Sequence, residues 1–290
     1  MTALFRLLAR APLPLMHALG GLLGWLVWAL APDYRRRFRE NTAQAGLAPA
    51  QWRPAIAAAG RMAAELPWLW ARPAGESVLP RVRQWTGDEA LGAALAAGRG
   101  AIVISPHLGC WELLGQALGE RFLASHGPIT ALFRPPRKPW MAALMEGSRD
   151  RPGLHMLPTD VSGVRGLMRA LKKGGYTGIL PDQVPPMGQG VWAPFFGRPA
   201  YTMTLVPRLA QLTGAQVFLG VCERLPRGRG YAVRLQPLDA PALSDPKAAP
   251  EEAATAMNQG IEQLILSLPG QYVWDYARYK APRAEMETAR

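Results

Sequence analysis

The sequence predicts an α/β domain with a mostly parallel or mixed central sheet flanked by helices, preceded by an apolar helix. Three observations lead there. Short apolar runs such as "AIVIS" and "YTGILP" alternate with stretches of helical period, the pattern of strands joined by crossover helices. Several helical stretches close on glycine or open on proline and acidic residues, as helix ends prefer. Finally, no charged residue lies between Arg10 and Asp33.

That uncharged segment, "APLPLMHALGGLLGWLVWALAP" over residues 11–32, would extend about 33 Å as a helix, enough to cross a bilayer core. A cleaved signal peptide is one reading, with Ala29-Leu30-Ala31 as a cleavage site. A buried core helix is another. The features together favour a membrane anchor, spanning or interfacial, with Trp25 and Trp28 at headgroup depth. The cluster "YRRRFRE" follows at once, and such clusters tend to stay on the cytoplasmic side. Residues 1–40 therefore read as anchor and Arg-rich juxtamembrane segment, 41–283 as the α/β domain and 284–290 as a tail.

Residues 41–75 read as helical and unusually aromatic. From about Trp85 helices and strands alternate: helix "DEALGAALAAGRG", strand "AIVIS", helix "CWELLGQALGERFLA", strand "GPITALF", helix "KPWMAALMEGSRDR" and strand "LHMLP". Helix "SGVRGLMRALKKGG" and strand "YTGILP" come next, then helix "TLVPRLAQLTG", strands "AQVFLGVCERL" and "GYAVRLQPL", and a last helix, "PEEAATAMNQGIEQLILSLP". The Pro/Ala-rich "PLDAPALSDPKAAP" reads as a surface loop.

An apolar fraction of 49% in 290 residues excludes a disordered chain. The 33 Lys and Arg against 21 Asp and Glu, a formal charge of +12, suit an anionic partner. No recognition-helix, zinc-finger or RNP pattern accompanies that charge, so nucleic acid is not expected. Two cysteines, Cys110 and Cys222, make neither a disulfide framework nor a zinc site. No Walker or dinucleotide motif appears.

Of four histidines, His107 stands out: it follows the strand "AIVIS" and a proline, where open α/β folds bind ligands. Glu112 comes next as a partner. On one regular helix the two side chains would diverge by about 140°, so they meet only if His107 sits on the turn before the helix. A carboxylate on one ring nitrogen would leave the other as a base. Cys110, in "GCW", reads as an inert buried thiol and not a nucleophile.

"HLGCWE" is similar to the H-x4-[DE] motif of the glycerolipid acyltransferase superfamily. The chain also resembles the bacterial lipid A late acyltransferases, the lauroyl and myristoyl transferases, in four further blocks. These are "RRRFRENTAQAGL" (35–47), "FRPPRKPWMAALMEGSRDRPG" (133–153), "GVRGLMRALKKGGYTGILPDQVPPMGQGVWAPFFGRPAYT" (163–202) and "LPGQYVWDYARYK" (268–280). Asp275 and Tyr276 stand where many relatives carry a His-Arg pair, and Val184 where a second acid is common. The resemblance implies a glycerolipid-acyltransferase-like fold without cofactor or metal, at the cytoplasmic face of a bacterial inner membrane. It implies transfer of an acyl chain from acyl carrier protein to a hydroxyl of a glycolipid, a lipid A precursor. His107 would be general base and Glu112 its orienting, charge-balancing partner. Arg149 would meet substrate phosphate or developing charge, with Arg134 and Arg151 in support. Asp182 would belong to the substrate site, and Arg198 would lie near a phosphate. Other acceptors (a phosphatidylinositol mannoside, an ornithine lipid or another aminolipid), acyl-CoA as donor, and a non-catalytic anionic-ligand binder are the alternatives.

Overall fold

A computed structural model of the chain describes residues 2–73, 75–134 and 151–283. Among the described residues seven strands form one sheet, in the order β1 (Val82–Thr86), β9 (Tyr231–Pro237), β8 (Gln216–Arg224), β2 (Ala101–Ile104), β5 (Tyr176–Ile179), β3 (Ile129–Phe133) and β4 (Leu154–Pro158). β8, β2, β5, β3 and β4 run parallel, while β9 pairs antiparallel with β8 and parallel with β1. The sheet is thus mixed, with a parallel centre. Helix α5 (Asp88–Ala96) joins β1 to β2, which run in opposite directions, whereas helices α6 (Trp111–His126) and α7 (Val161–Lys172) supply crossovers of the parallel centre.

β2 shows why the centre is apolar throughout. All four residues are buried, and they alternate between two cores, as strand geometry requires. Ile102 and Ile104 join one core with Leu167 and Leu171 of α7, Leu209 of α8 (Leu205–Thr213) and Ile261 of α9 (Pro250–Ser267). Ala101 and Val103 face the other, with Leu91 of α5 and Leu113 and Ala117 of α6. Three strands escaped the sequence reading. β1 is mostly exposed and carries little apolar signal. The hairpin of β6 (Gly190–Phe195) and β7 (Arg198–Met203) turns through Phe196 and Gly197, both at positive φ, as a type I′ turn demands. The expected helix "KPWMAALMEGSRDR", apart from its last residue Arg151, and the 284–290 tail lie outside the described residues.

The chain begins with α1 (Thr2–Leu8), α2 (Leu13–Leu30), α3 (Pro32–Gln44) and α4 (Pro49–Ala71). A boundary at residue 40 would fall inside α3. α2 is long and apolar enough to cross a membrane, yet it packs along α4. Gly20 and Gly60 bring the two backbones together: a Cβ on Gly60 would stand 1.9 Å from the Gly20 carbonyl oxygen. His17 of α2 donates from Nε2 to Glu65 Oε1 of α4 at 2.7 Å. Arg224 donates from Nε and Nη2 to the same carboxylate at 2.7–2.9 Å, and the Tyr231 hydroxyl donates to it at 3.0 Å. Burial alone would raise the Glu65 pKa, but the Arg224 charge and the hydrogen bonds outweigh it and hold the group at about 2. A buried ionic cluster thus ties α2 to β8 and β9.

Candidate active site

β2 and β5 are neighbours in parallel register, Ile104 opposite Ile179. Beyond those residues both strands continue in the same way: Ser105-Pro106-His107 on one, Leu180-Pro181-Asp182 on the other. Proline has no N–H for the ladder, so each strand stops there and the next side chain stands at the carboxyl edge. His107 Nδ1 lies 2.7 Å from Asp182 Oδ1, and the His107 backbone N–H donates to Oδ2 at 2.9 Å. The Tyr272 hydroxyl donates to Oδ2 at 3.2 Å. Asp182 is 2% exposed, so three donors compensate a carboxylate that has left water.

The turn after His107 is held from below. Leu108 is fully buried, and Gly109 has φ +61, a conformation glycine adopts without steric cost. A Cβ there would stand 2.2 Å from the Cys222 carbonyl oxygen, which accepts the Cys110 N–H at 2.7 Å. Gly109 N–H donates to the Gln271 carbonyl and Val273 N–H to the His107 carbonyl, both at 3.1 Å. The 271–273 segment that supplies Tyr272 therefore also grips the histidine's backbone. α6 starts immediately afterwards, and the Trp111 ring packs edgewise on the imidazole at 4.9 Å.

A buried carboxylate is an acceptor, so Nδ1 carries the proton and Nε2 presents its lone pair. The Gln183 amide approaches Nε2 at 3.2 Å and donates to it in this tautomer. Burial lowers the His107 pKa, but the charge and hydrogen bond of Asp182, with a further contribution from the Glu112 charge, leave it above the ordinary value. Asp182 is pushed up by burial and down, further, by the His107 charge and its hydrogen bonds, so it stays below the usual range.

Beside this pair a cavity of about 420 Å³ runs between α6 and the β3–β4 side of the sheet. Val103, Leu114, Leu118, Ile129 and Met156 make its wall apolar, and Ser105, Trp111 and Glu112 line the end nearest His107. A slot of this volume and lining falls in the range of small-ligand sites with mostly apolar walls.

The sequence-derived site residues divide accordingly. His107 occupies the turn before the helix, as its pairing required, but the carboxylate on Nδ1 is Asp182, expected only as a substrate contact. Glu112 lies in the first turn of α6, lines the cavity, accepts from Trp70 Nε1 at 3.4 Å and acts on His107 through its charge. Arg134 is exposed and donates to Thr159 Oγ1 at 3.1 Å, at the cavity's lining. Arg149 lies outside the described residues. Arg151 is turned inward: it is 5% exposed and donates to the Arg72 and Pro73 carbonyls at 2.9 and 3.2 Å. Those bonds occupy it with backbone, not phosphate. Arg198 sits on the β6–β7 hairpin over the Tyr279 ring at 4.6 Å. Tyr272, Gln183 and Trp111 were not singled out in the sequence. Cys110 is 2% exposed, and burial, then the Glu65 charge, raises its thiol pKa well above normal, which suppresses the thiolate a nucleophile needs.

The family model described as bacterial lipid A biosynthesis acyltransferase matches residues 1–281. The chain is 30% identical over 225 residues to the lipid A biosynthesis lauroyltransferase of Escherichia coli K12, covering 76% of this chain and 68% of that protein. It is 29% identical over 217 residues to the lipid A biosynthesis palmitoleoyltransferase of the same strain, covering 73% and 65%. It is 29% identical over 197 residues to a lipid A biosynthesis acyltransferase of Haemophilus influenzae, covering 68% and 58%.

Proposed function

Because the chain belongs to the bacterial lipid A biosynthesis acyltransferase family, we propose that it moves a fatty acyl chain from an acyl-carrier-protein thioester to a hydroxyl of a lipid A precursor. The observation that carries this reading is a buffered imidazole, His107 on Asp182, at one end of an apolar cavity.

The chemistry is direct transfer. The acceptor hydroxyl displaces Gln183 at His107 Nε2 and gives up its proton as its oxygen attacks the thioester carbon. General-base assistance of this kind is worth about 10²–10⁴-fold. Asp182 keeps Nδ1 protonated and stabilises the imidazolium, and Glu112 adds negative charge nearby. The tetrahedral oxyanion forms by the N-terminal end of α6, whose positive dipole end favours it. Collapse breaks the C–S bond, and the imidazolium returns its proton to the leaving thiolate. The acyl tail occupies the cavity, and Arg134 meets acceptor phosphate at its rim.

The N-terminal helices set the location. α2 exposes Leu15, Leu19, Leu22, Leu26 and Leu30 on the face opposite α4, one apolar stripe at helical spacing. Arg35, Arg36, Arg37 and Arg39 follow on α3. Such a helix lies in the membrane interface with arginines on headgroup phosphates, here at the cytoplasmic face of the inner membrane. The +12 charge would steer an acidic carrier protein and an anionic lipid to the site.

The test is acyl transfer by the purified full chain, with acyl-carrier-protein and acyl-CoA donors and with lipid A precursor or an aminolipid as acceptor. Transfer confined to the lipid A precursor supports the reading. Transfer to another lipid reassigns the acceptor, and donor turnover without acceptor dependence ends the proposal.

A further inference from the structure

Gln116 sits on α6 one helical turn beyond Glu112 and lines the same cavity. It is 2% exposed, and neither its amide N–H group nor its carbonyl has a hydrogen-bond partner among the described residues. Buried polar groups are nearly always paired, and the cavity wall is largely apolar, with Val103, Leu114 and Leu118 among its residues. Three residues further along, α6 meets backbone directly, since a Cβ on Gly119 would clash with the Gly153 carbonyl oxygen. The amide thus lies on the cavity wall one turn further along α6 than Glu112, beside the path of an acyl chain that fills the cavity.

A saturated chain offers that amide nothing. A hydroxyl offers both complements at one oxygen, an O–H for the carbonyl and lone pairs for the N–H. The rise from Glu112 to Gln116 is about 6 Å along the helix, which places such a hydroxyl within the first few carbons from the thioester. Resting on the acyltransferase reading above, we propose that Gln116 is a specificity residue that selects an acyl chain hydroxylated near its thioester end over an unsubstituted chain of equal length.

The experiment is a competition between unsubstituted, 2-hydroxy and 3-hydroxy acyl thioesters of one chain length, presented to the full chain on acyl carrier protein and on CoA with lipid A precursor as acceptor. One neutral hydrogen-bonded group in a dry site is worth about tenfold. The wild-type kcat/KM for one hydroxylated donor should therefore exceed that for the unsubstituted donor by about tenfold, and in Gln116→Leu or Gln116→Met the ratio should fall toward unity. Equal use of all donors by the wild type, or an undiminished ratio in both variants, overturns the inference and leaves the acyltransferase reading standing. The competition on the wild type decides this even if a variant fails to fold. Transfer from none of the donors overturns both.

Discussion

His107 and Asp182, separated by 75 residues, meet at 2.7 Å because two parallel strands pair in register and each ends two positions before a proline. The contact belongs to the sheet. It places a carboxylate that accepts three hydrogen bonds behind the imidazole and leaves Nε2 free of that carboxylate, the arrangement of an oriented general base.

Replacing His107 by Ala should lower kcat by about 10²–10⁴-fold and also lower the melting temperature, since the buried Asp182 carboxylate loses one of its three donors. Acyl-transfer kinetics beside a thermal melt check both parts. Near-normal turnover in the folded variant would remove the base assignment.

The two carboxylates differ in their effect on pH dependence. His107 acts as a base only when neutral, and its pKa is held up by Asp182 first and Glu112 second. The wild-type rate should therefore rise with pH through a pKa above the ordinary histidine value. Asp182→Asn removes the larger raising charge, so its limb should move to lower pH while the plateau falls. Glu112→Gln should move the limb the same way by less. Profiles of kcat/KM against pH for the three proteins distinguish them, and a larger shift in the Glu112 variant would reverse the roles assigned here.

Glu65→Gln should destabilise the fold by about 3–5 kcal/mol, the usual cost of leaving a buried cation, here Arg224, without its partner. Glu65 titrates near 4.5 when unfolded and at about 2 when folded. Its contribution is complete above about 4.5 and lost as pH falls toward 2. Denaturant melts against pH should show this acid loss in the wild type and a shallower one in the variant.

Gly109→Ala should cost more than Gly46→Ala, although both glycines have positive φ (+61 and +67). Nothing lies within 4 Å of a Cβ on Gly46, so only the backbone penalty of about 1 kcal/mol applies. At Gly109 the added carbon meets the Cys222 carbonyl, and relieving that contact shifts the His107 turn. Activity should drop in the Gly109 variant alone, measured beside both melting temperatures.

Leu22→Lys and Leu26→Lys, on the exposed stripe of α2, should reduce sedimentation with anionic vesicles while changing stability by less than about 0.5 kcal/mol. Unchanged vesicle binding would remove α2 from the membrane-contact surface.

Periodicity, turn residues and motif order carried the local structure. The buried runs around Ile102 and Phe218, the amphipathic helix beginning at Val161 and the Pro-acid start of the last helix were all legible, because each is decided by residues a few positions apart. Legible too was the place of His107 on a pre-helical turn at the end of β2. Which carboxylate holds it was not: Glu112 is nearer in sequence, but Asp182 is nearer in space, and only strand pairing sets that distance. The doubled pattern Ile-x-Pro-His and Ile-x-Pro-Asp was a usable signal, since it marks two strand ends of equal length, yet it has force only once β2 and β5 are neighbours. Likewise the sequence placed Arg151 among charges available to a ligand and read α2 as apart from the domain. The fold turned Arg151 onto backbone carbonyls and bound α2 through Glu65. Local propensity depends on neighbours along the chain, whereas pairing, burial and charge compensation depend on which distant segments share a volume.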